Sequence, residues 1–452
     1  MLSRLKGVAI DVTPIRESRD FRLLAGGLIF SNLGTQAALV ALPYQIFVIS
    51  HSPALVGLLG AFELGPMVVV AMLSGALADR HDRRVMLAIA QVGMVVVSAG
   101  LLAISLAGGP PVALLLVLGG LLAGCSALDG VARTSMLPGI LGPERMRSGI
   151  AFNYGVFQAT GIVGPGLGGL VITWTSVSWV YAINGASCVV MLFAALAMAP
   201  QRPVGSRGDF GGHVAAKVGP PGLSPREHPP VREAIAEGLR FVVSDRALTG
   251  ALAIDIGAMT FGMPRALFAV LSLTVYHAGA SGTGALYAAI SVGGTLAVLT
   301  SGWVAKASRL GRITIICVVV WGLAILGMGL VRSIWPAVVM LTVAGWADGI
   351  SAVCRSTISQ TLTPDRLRGR TSAVYSLVVT SGPRLGDIES GLVAGLVGAL
   401  NSVLVGGVGC LVGVGATMLA FPELQRYDAQ RAVAAMAAAD EAWRLTQEGA
   451  RA

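Results

Sequence analysis

Charge is scarce in this sequence: 12% of its 452 residues are Asp, Glu, Lys or Arg, about half the share carried by soluble domains. That shortage, with 54% apolar residues and a mean hydropathy of +0.77, excludes an ordinary water-soluble globule. Cysteine is also sparse. The five present (Cys125, Cys188, Cys317, Cys354, Cys410) each fall inside an apolar run, without the paired spacing of a disulfide framework or a metal site, and read as small packing residues. The sequence shows no hydrolase triad, no nucleotide-binding loop and no metal cluster, and its GxGxxG-like runs lie inside apolar stretches, where they pack helices. It predicts neither an enzyme nor a cofactor or metal, and no ATP site.

What it has instead is long apolar runs. A membrane-spanning helix needs about 20 apolar residues, so twelve would consume nearly the whole apolar content. Runs of low charge predict spans near 22–48, 54–78, 85–107, 111–133, 149–172, 177–199, 247–275, 281–305, 312–331, 335–357, 371–397 and 401–421. The 60 glycines sit largely within these runs, where they let neighbouring backbones approach closely. The expectation is an all-α polytopic membrane protein in a lipid bilayer.

The basic residues settle the expected orientation. Of the 32 Lys and Arg, 29 fall on alternate connecting segments, one (Arg332) falls on the other side, and Arg265 and Arg384 lie within spans. Basic residues accumulate in cytoplasmic loops, so both termini are expected to be cytoplasmic. Topology thus accounts for the sequence pI near 9.7, and no nucleic-acid partner is expected. The leader, residues 1–21, lacks a small-residue cleavage site and does not read as a removable signal peptide.

The chain repeats itself. SGALADRHDRRV (Ser74 to Val85) aligns on SGWVAKASRLGR (Ser301 to Arg312), and PERMRSGIAFNY (Pro143 to Tyr154) on PDRLRGRTSAVY (Pro364 to Tyr375), at offsets of 227 and 221. Each pair occupies the same place in its half. The reading is two parallel six-helix halves, 22–200 and 246–421. A Pro/Gly-rich cytoplasmic linker at 201–245 joins them, ending in an amphipathic stretch, and a charged Ala-rich tail follows at 422–452. Duplicated parallel halves are an architecture of secondary transporters.

Within this frame GALADRHDRR resembles the loop signature between spans two and three of the major facilitator superfamily, through Gly75, Leu77, Ala78, Asp79, Arg80, Arg83 and Arg84. Asp82 stands where the pattern usually has Gly. Within that superfamily the chain is similar to the enterobactin-exporter-like and multidrug efflux branch, in LPYQIFVISHS, REHPPVREAIAEGLRFVVS and TPDRLRGRTSAVYSLV. The resemblance implies twelve helices in two pseudo-symmetric halves, in a bacterial inner membrane. The implied activity is export of a siderophore or amphipathic drug by alternating access, with protons as coupling ion. An importer of a small polar solute, or a non-transporting sensor on the same scaffold, are the alternatives.

The resemblance also implies a cytoplasmic gate at Gly75, Asp79, Arg80, Arg83 and Arg84; a plain positive-inside anchor is the other reading. GIVGPGLGG in span five resembles an exporter motif through Gly164, Pro165, Gly168 and Gly169, able to bend or seal a helix, or simply to pack it. Span four, LLVLGGLLAGCSALDG, carries no mid-membrane Arg, so coupling through such a residue is not carried over. Intramembrane charges are costly and mark function by default. Glu63, Asp255, Asp387 and Glu389 are proton-coupling candidates, since desolvation penalises a carboxylate ion. Arg384 and Asp387, three residues apart, can instead pair with each other, and Asp129 and Asp348 with Arg133 and Arg355. For the substrate cavity the candidates are Asn32, Gln36, Tyr44, Gln45, Asn153, Tyr154, Gln158, Arg265 and Arg384, polar groups that must line a cavity or bond another helix.

Overall fold

The computed structural model describes residues 13–78, 81–201, 231–364, 367–430 and 432. Most of the leader, linker and tail, together with Asp79 and Arg80, lie outside them. The described chain is helical, as lipid requires, because an α-helix satisfies its own backbone hydrogen bonds. The first half comprises α1 (Arg19–Ser50), α2 (Pro53–Ala78), α3 (Arg83–Leu106), α4 (Val112–Gly142), α5 (Ser148–Trp174) and α6 (Val177–Ala197). The second comprises α7 (Arg246–Thr274), α8 (Gly279–Thr300), α9 (Leu310–Leu330), α10 (Ile334–Leu362), α11 (Arg368–Val397) and α12 (Ala399–Ala420).

Eleven of these twelve are long and apolar enough to cross a membrane. The exception is α11, where Arg384, Asp387 and Glu389 crowd into six residues; side chains of α2 and α7 engage Arg384 and Asp387. The outer surface is correspondingly apolar, with Leu419 87%, Leu396 86% and Trp174 76% exposed, a shell that only a bilayer covers.

Local chemistry sets the helix ends. Ser18 caps α1 by accepting from the Phe21 amide at 3.2 Å, and Asp245 caps α7 by accepting from Leu248 at 2.9 Å. Asp82, the departure from the family pattern, caps α3 through the Arg84 amide at 2.9 Å and also accepts from the Gln201 amide at 3.0 Å. Its carboxylate thereby ties the start of α3 to the segment after α6. Between α4 and α5 the helical run turns at Gly142, whose φ of 68° favours glycine.

Two expectations are corrected. Span four does not end at Arg133: α4 runs nine residues further, to Gly142, so Arg133 lies about 14 Å inside its end at a 1.5 Å rise per residue. The run at 247–275 is not one helix either. It divides into Arg246–Gly262 and Leu267–Thr274, because Pro264 has no amide to donate; the Ala266 amide turns to Asp387, and the Gly262 carbonyl it leaves accepts from the Trp321 indole at 2.9 Å.

The first half is held by α1 against α5 and α6, α2 against α4, and α3 against α4 and α6; the second by α8 and α9 against α10, and α7 against α11 and α12. Two long seams join the halves, α2 with α11 and α5 with α8. Both are tightest toward the face opposite the basic loops. A Cβ built on Gly57 would stand 2.6 Å from the Cα of Gly391, and one on Gly169 3.1 Å from the Cα of Ser281. Toward the basic face α5 exposes Ile150, Tyr154 and Phe157, α8 exposes Leu296 and Leu299, and α11 exposes Val379 and Thr380. The halves are sealed at the opposite face and part toward the basic one.

Gly57→Leu is expected to force the α2–α11 seam open. In a protein freed of its native cysteines, a cysteine at Ala54, beside Gly395, should then react several-fold faster with a soluble maleimide; unchanged reactivity would show that the seam does not depend on that contact.

Candidate functional site

Charges in the interior gather in two layers. Nearer the sealed face, α2, α7, α8 and α11 meet at a cluster of two acids and two guanidiniums. Glu63 of α2 forms an ion pair with Arg384 of α11, so the contact crosses between the halves. Arg384 also reaches Asp387 at 3.5 Å, and Arg265, in the break of α7, reaches Asp387 at 3.4 Å. Asp387 further accepts from the Ala266 amide at 3.0 Å, which holds the short helix after the break, while the Tyr287 hydroxyl of α8 donates to the Arg265 carbonyl at 3.1 Å. The charges balance, two against two. Between them lies a cavity of about 20 Å³ also lined by Leu39, Pro43 and Val56, room for roughly one water.

The second layer lies closer to the basic face, on the fourth helix of each half. Arg133 of α4 is ion-paired with Asp129, donates to Asn32 of α1 at 3.1 Å, and Asp129 accepts from Gln91 of α3 at 2.7 Å. In the second half Arg355 of α10 contacts Asp255 of α7 at 2.8 Å and Asp348 at 3.2 Å, and donates to Ser351 at 2.7 Å. Asp255 is thus clasped by an Arg, not solitary.

The remaining candidates separate clearly. Gln45 is 7% exposed and locked inside the first half: its amide donates to Ser105 at 2.8 Å and its carbonyl accepts from Tyr181 at 2.7 Å. Tyr44 packs half-buried against the apolar core. Gln36 lies on Gly161 and Gly164, in the α1–α5 contact, and Gln158 lies against Gly294 of α8. Asn153 is half-buried and Tyr154 is 51% exposed at the mouth of the cleft, within electrostatic range of Asp348 across it. Glu389 is half-buried, and its Oε2 has no hydrogen-bond partner among the described residues.

The two sequence motifs divide as well. Gly164 and Gly168 press on α1 at Gln36 and Ala37, while Gly169 and Pro165 press on Ala280 and Gly284 of α8. The motif therefore wedges α5 between α1 and α8, in the sealed seam. Of the gate residues, Asp79 and Arg80 lie outside the described residues and Gly75 is in α2. Arg83 donates to the Ser135 carbonyl at 2.9 Å and Arg84 to the Met198 carbonyl at 2.7 Å, which tie α3 to α4 and to the end of α6.

Removing one partner of a buried ion pair leaves an uncompensated charge and costs about 3–5 kcal/mol. Glu63→Gln is therefore expected to destabilise the protein by about that amount, and Glu63→Gln with Arg384→Gln to recover about half of it, as measured by unfolding in detergent micelles. Additive losses would show that the two side chains are not coupled.

The comparisons with known proteins agree with this architecture. The family profile described as Major Facilitator Superfamily matches residues 24–386. An enterobactin exporter, EntS, of Salmonella choleraesuis (strain SC-B67) is 29% identical over 391 residues, covering 86% of this chain and 89% of that protein. The protein of the same name from Citrobacter koseri (strain ATCC BAA-895 / CDC 4225-83 / SGSC4696) is 28% identical over 390 residues, covering 86% and 88%. Among solved structures, the nucleoside transporter NupG superposes with a TM-score of 0.71 at 14% identity, over 89% of this chain and 99% of that one. A bacterial homologue of the human lysosomal transporter Spinster, in an inward-facing and unoccupied conformation, gives 0.64 at 16% identity, over 90% and 99%. With two six-helix halves, two seams between them and a match over most of its length, the chain belongs to the Major Facilitator Superfamily and is a multi-pass membrane transporter.

Proposed function

We propose that the protein exports a siderophore or an amphipathic drug across a bacterial inner membrane by alternating access with proton antiport. The basic face and both termini are cytoplasmic in this reading, because 27 of the 32 Lys and Arg lie on the segments of that face even with Arg133 and Arg355 drawn inside α4 and α10. The similarity to enterobactin exporters supports the direction and the siderophore class; the wedge of Gly164, Pro165, Gly168 and Gly169 in the sealed seam supports a role in closure.

The observation that carries the coupling is the Glu63–Arg384 pair between the halves. Opening the sealed face pulls α2 from α11 and breaks the pair. A carboxyl that has lost its guanidinium in a low-dielectric gap takes a proton at less cost than it stands ionised, and that proton comes from outside. When the halves close again the pair reforms and the proton leaves toward the cytoplasmic cleft. Arg265, Asp387, Arg384 and Tyr287 face Glu63 in this step. Net movement is one proton inward for each return stroke, which drives solute the other way. Asp79 to Arg84 then steady the cytoplasmic ends, with Arg83 and Arg84 as the described anchors.

In proteoliposomes with an imposed proton gradient, the wild type is expected to drive export of an iron-chelating catecholate or a dye. Glu63→Gln is expected to lose gradient-driven accumulation while retaining exchange of solute down its own gradient. If Glu63→Gln and Asp255→Asn both leave gradient-driven export unchanged, the proton assignments fail. Reporter fusions at the two ends are expected to report the cytoplasm; opposite sides would contradict the topology.

A further inference from the structure

A cavity of about 390 Å³ lies on the outer wall of the first half, within the size range of small-molecule sites. It is a groove between α3 and α6, lined by Val85, Ile89 and Val92 of one and Leu192 and Leu196 of the other, with Arg84 as its one polar residue. Those helices pack on each other, and neither takes part in the α2–α11 or α5–α8 seam. Val85, Ile89, Val92 and Leu196 are each about half exposed, so the groove opens toward lipid, away from the route between the halves.

Arg84 marks one end of the groove. It stands in the first turn of α3, whose 24 residues make a helix about 36 Å long, longer than the ~30 Å hydrocarbon layer, so its guanidinium sits at headgroup level on the basic face. Arg84 donates from Nη1 to the Met198 carbonyl at 2.7 Å, and among the described residues it forms no ion pair. Asp82, the adjacent acid, turns Oδ1 to the backbone amides of Arg84 and Gln201. The second half does not repeat the arrangement. Gly311 stands where the repeat aligns Arg84, and a side chain there would strike the Leu424 carbonyl.

We propose that this groove holds an anionic phospholipid of the basic-face leaflet, with its phosphate on Arg84 and one acyl chain along Val85 to Val92. With Nη1 on Met198, Nε and Nη2 are left to meet a phosphate in two parallel hydrogen bonds. Below them the groove runs for two turns of α3 between apolar side chains, where a polar group finds no partner and hydrocarbon fits without cost. A basic residue at the membrane surface favours net-negative lipid, and a zwitterionic headgroup brings an ammonium that Arg84 repels. Both walls belong to one half, so opening of the cleft leaves the site intact, and the lipid ties the start of α3 to the end of α6.

The test titrates the purified full-length protein, in detergent micelles, with phosphatidylglycerol or with phosphatidylcholine of the same chains, and counts bound lipid by native mass spectrometry. The wild type is expected to take its first phosphatidylglycerol about fivefold more tightly than its first phosphatidylcholine. Arg84→Gln is expected to abolish that preference and Arg84→Lys to keep most of it. Ala88→Trp fills the groove, leaves the charge in place and is expected to weaken phosphatidylglycerol binding severalfold, which reads the same site should Arg84→Gln not fold. Inorganic phosphate is expected not to displace the lipid. Equal affinity of the wild type for the two lipids, a preference kept by Arg84→Gln, or binding untouched by Ala88→Trp overturns the proposal. So does displacement by inorganic phosphate, which marks a site that needs no acyl chain, or by an exported dye, which marks a solute site. Lipid binding is read without transport, so failure of the export reading leaves it standing.

Discussion

The structure follows from how few charges enter the lipid layer and how all but one of the acids are matched by an Arg. Within the helices Glu63, Asp129, Asp255, Asp348, Asp387 and Glu389 face four guanidiniums, Arg133, Arg265, Arg355 and Arg384. Five of the six acids are engaged by an Arg. Because an unpaired buried charge costs several kcal/mol, each contact between different helices, such as Asp255–Arg355 and Arg265–Asp387, fixes their relative position. Glu63–Arg384 does so for two helices of different halves, at the face where the seams are closed.

That placement connects packing to motion. Glycines at 57, 169, 284 and 391 bring backbones of the two halves into contact, and apolar seams of this kind close by van der Waals fit without sensing any ion. The ion pair adds the chemistry. In the proposed cycle it makes closure of one face depend on the protonation of a single carboxyl, while the cleft on the other face keeps its charged layer on α4 and α10. The sealed-face cluster decides, in that cycle, when that face opens.

The sequence made the frame readable because lipid imposes simple rules. Apolar runs gave the spans, and two offset alignments gave the halves. The chain entered α7 as one apolar run, although Pro264 already marked the break; hydropathy does not register a lost amide. A charge closes an apolar window, so the apolar run ends at Arg133, yet the helix continues to Gly142 and folds the guanidinium back onto Asp129 and Asn32. Span eleven was legible as a helix carrying charges, and the intramembrane acids were all visible.

What sequence could not supply was the pairing. Glu63 and Arg384, or Asp255 and Arg355, are brought together only by the packing of helices far apart in the chain, and no local spacing encodes that. Gln45 illustrates the converse, a polar residue that reads as cavity lining and is consumed by Ser105 and Tyr181. The central claim, that Glu63 latches the sealed face, is tested most directly by spin-label distances between His51 and Asn401 at that face and between Thr134 and Gln360 at the other. Glu63→Gln is expected to lengthen the first distance and shorten the second. If both distributions match the wild type, the pair is not the latch.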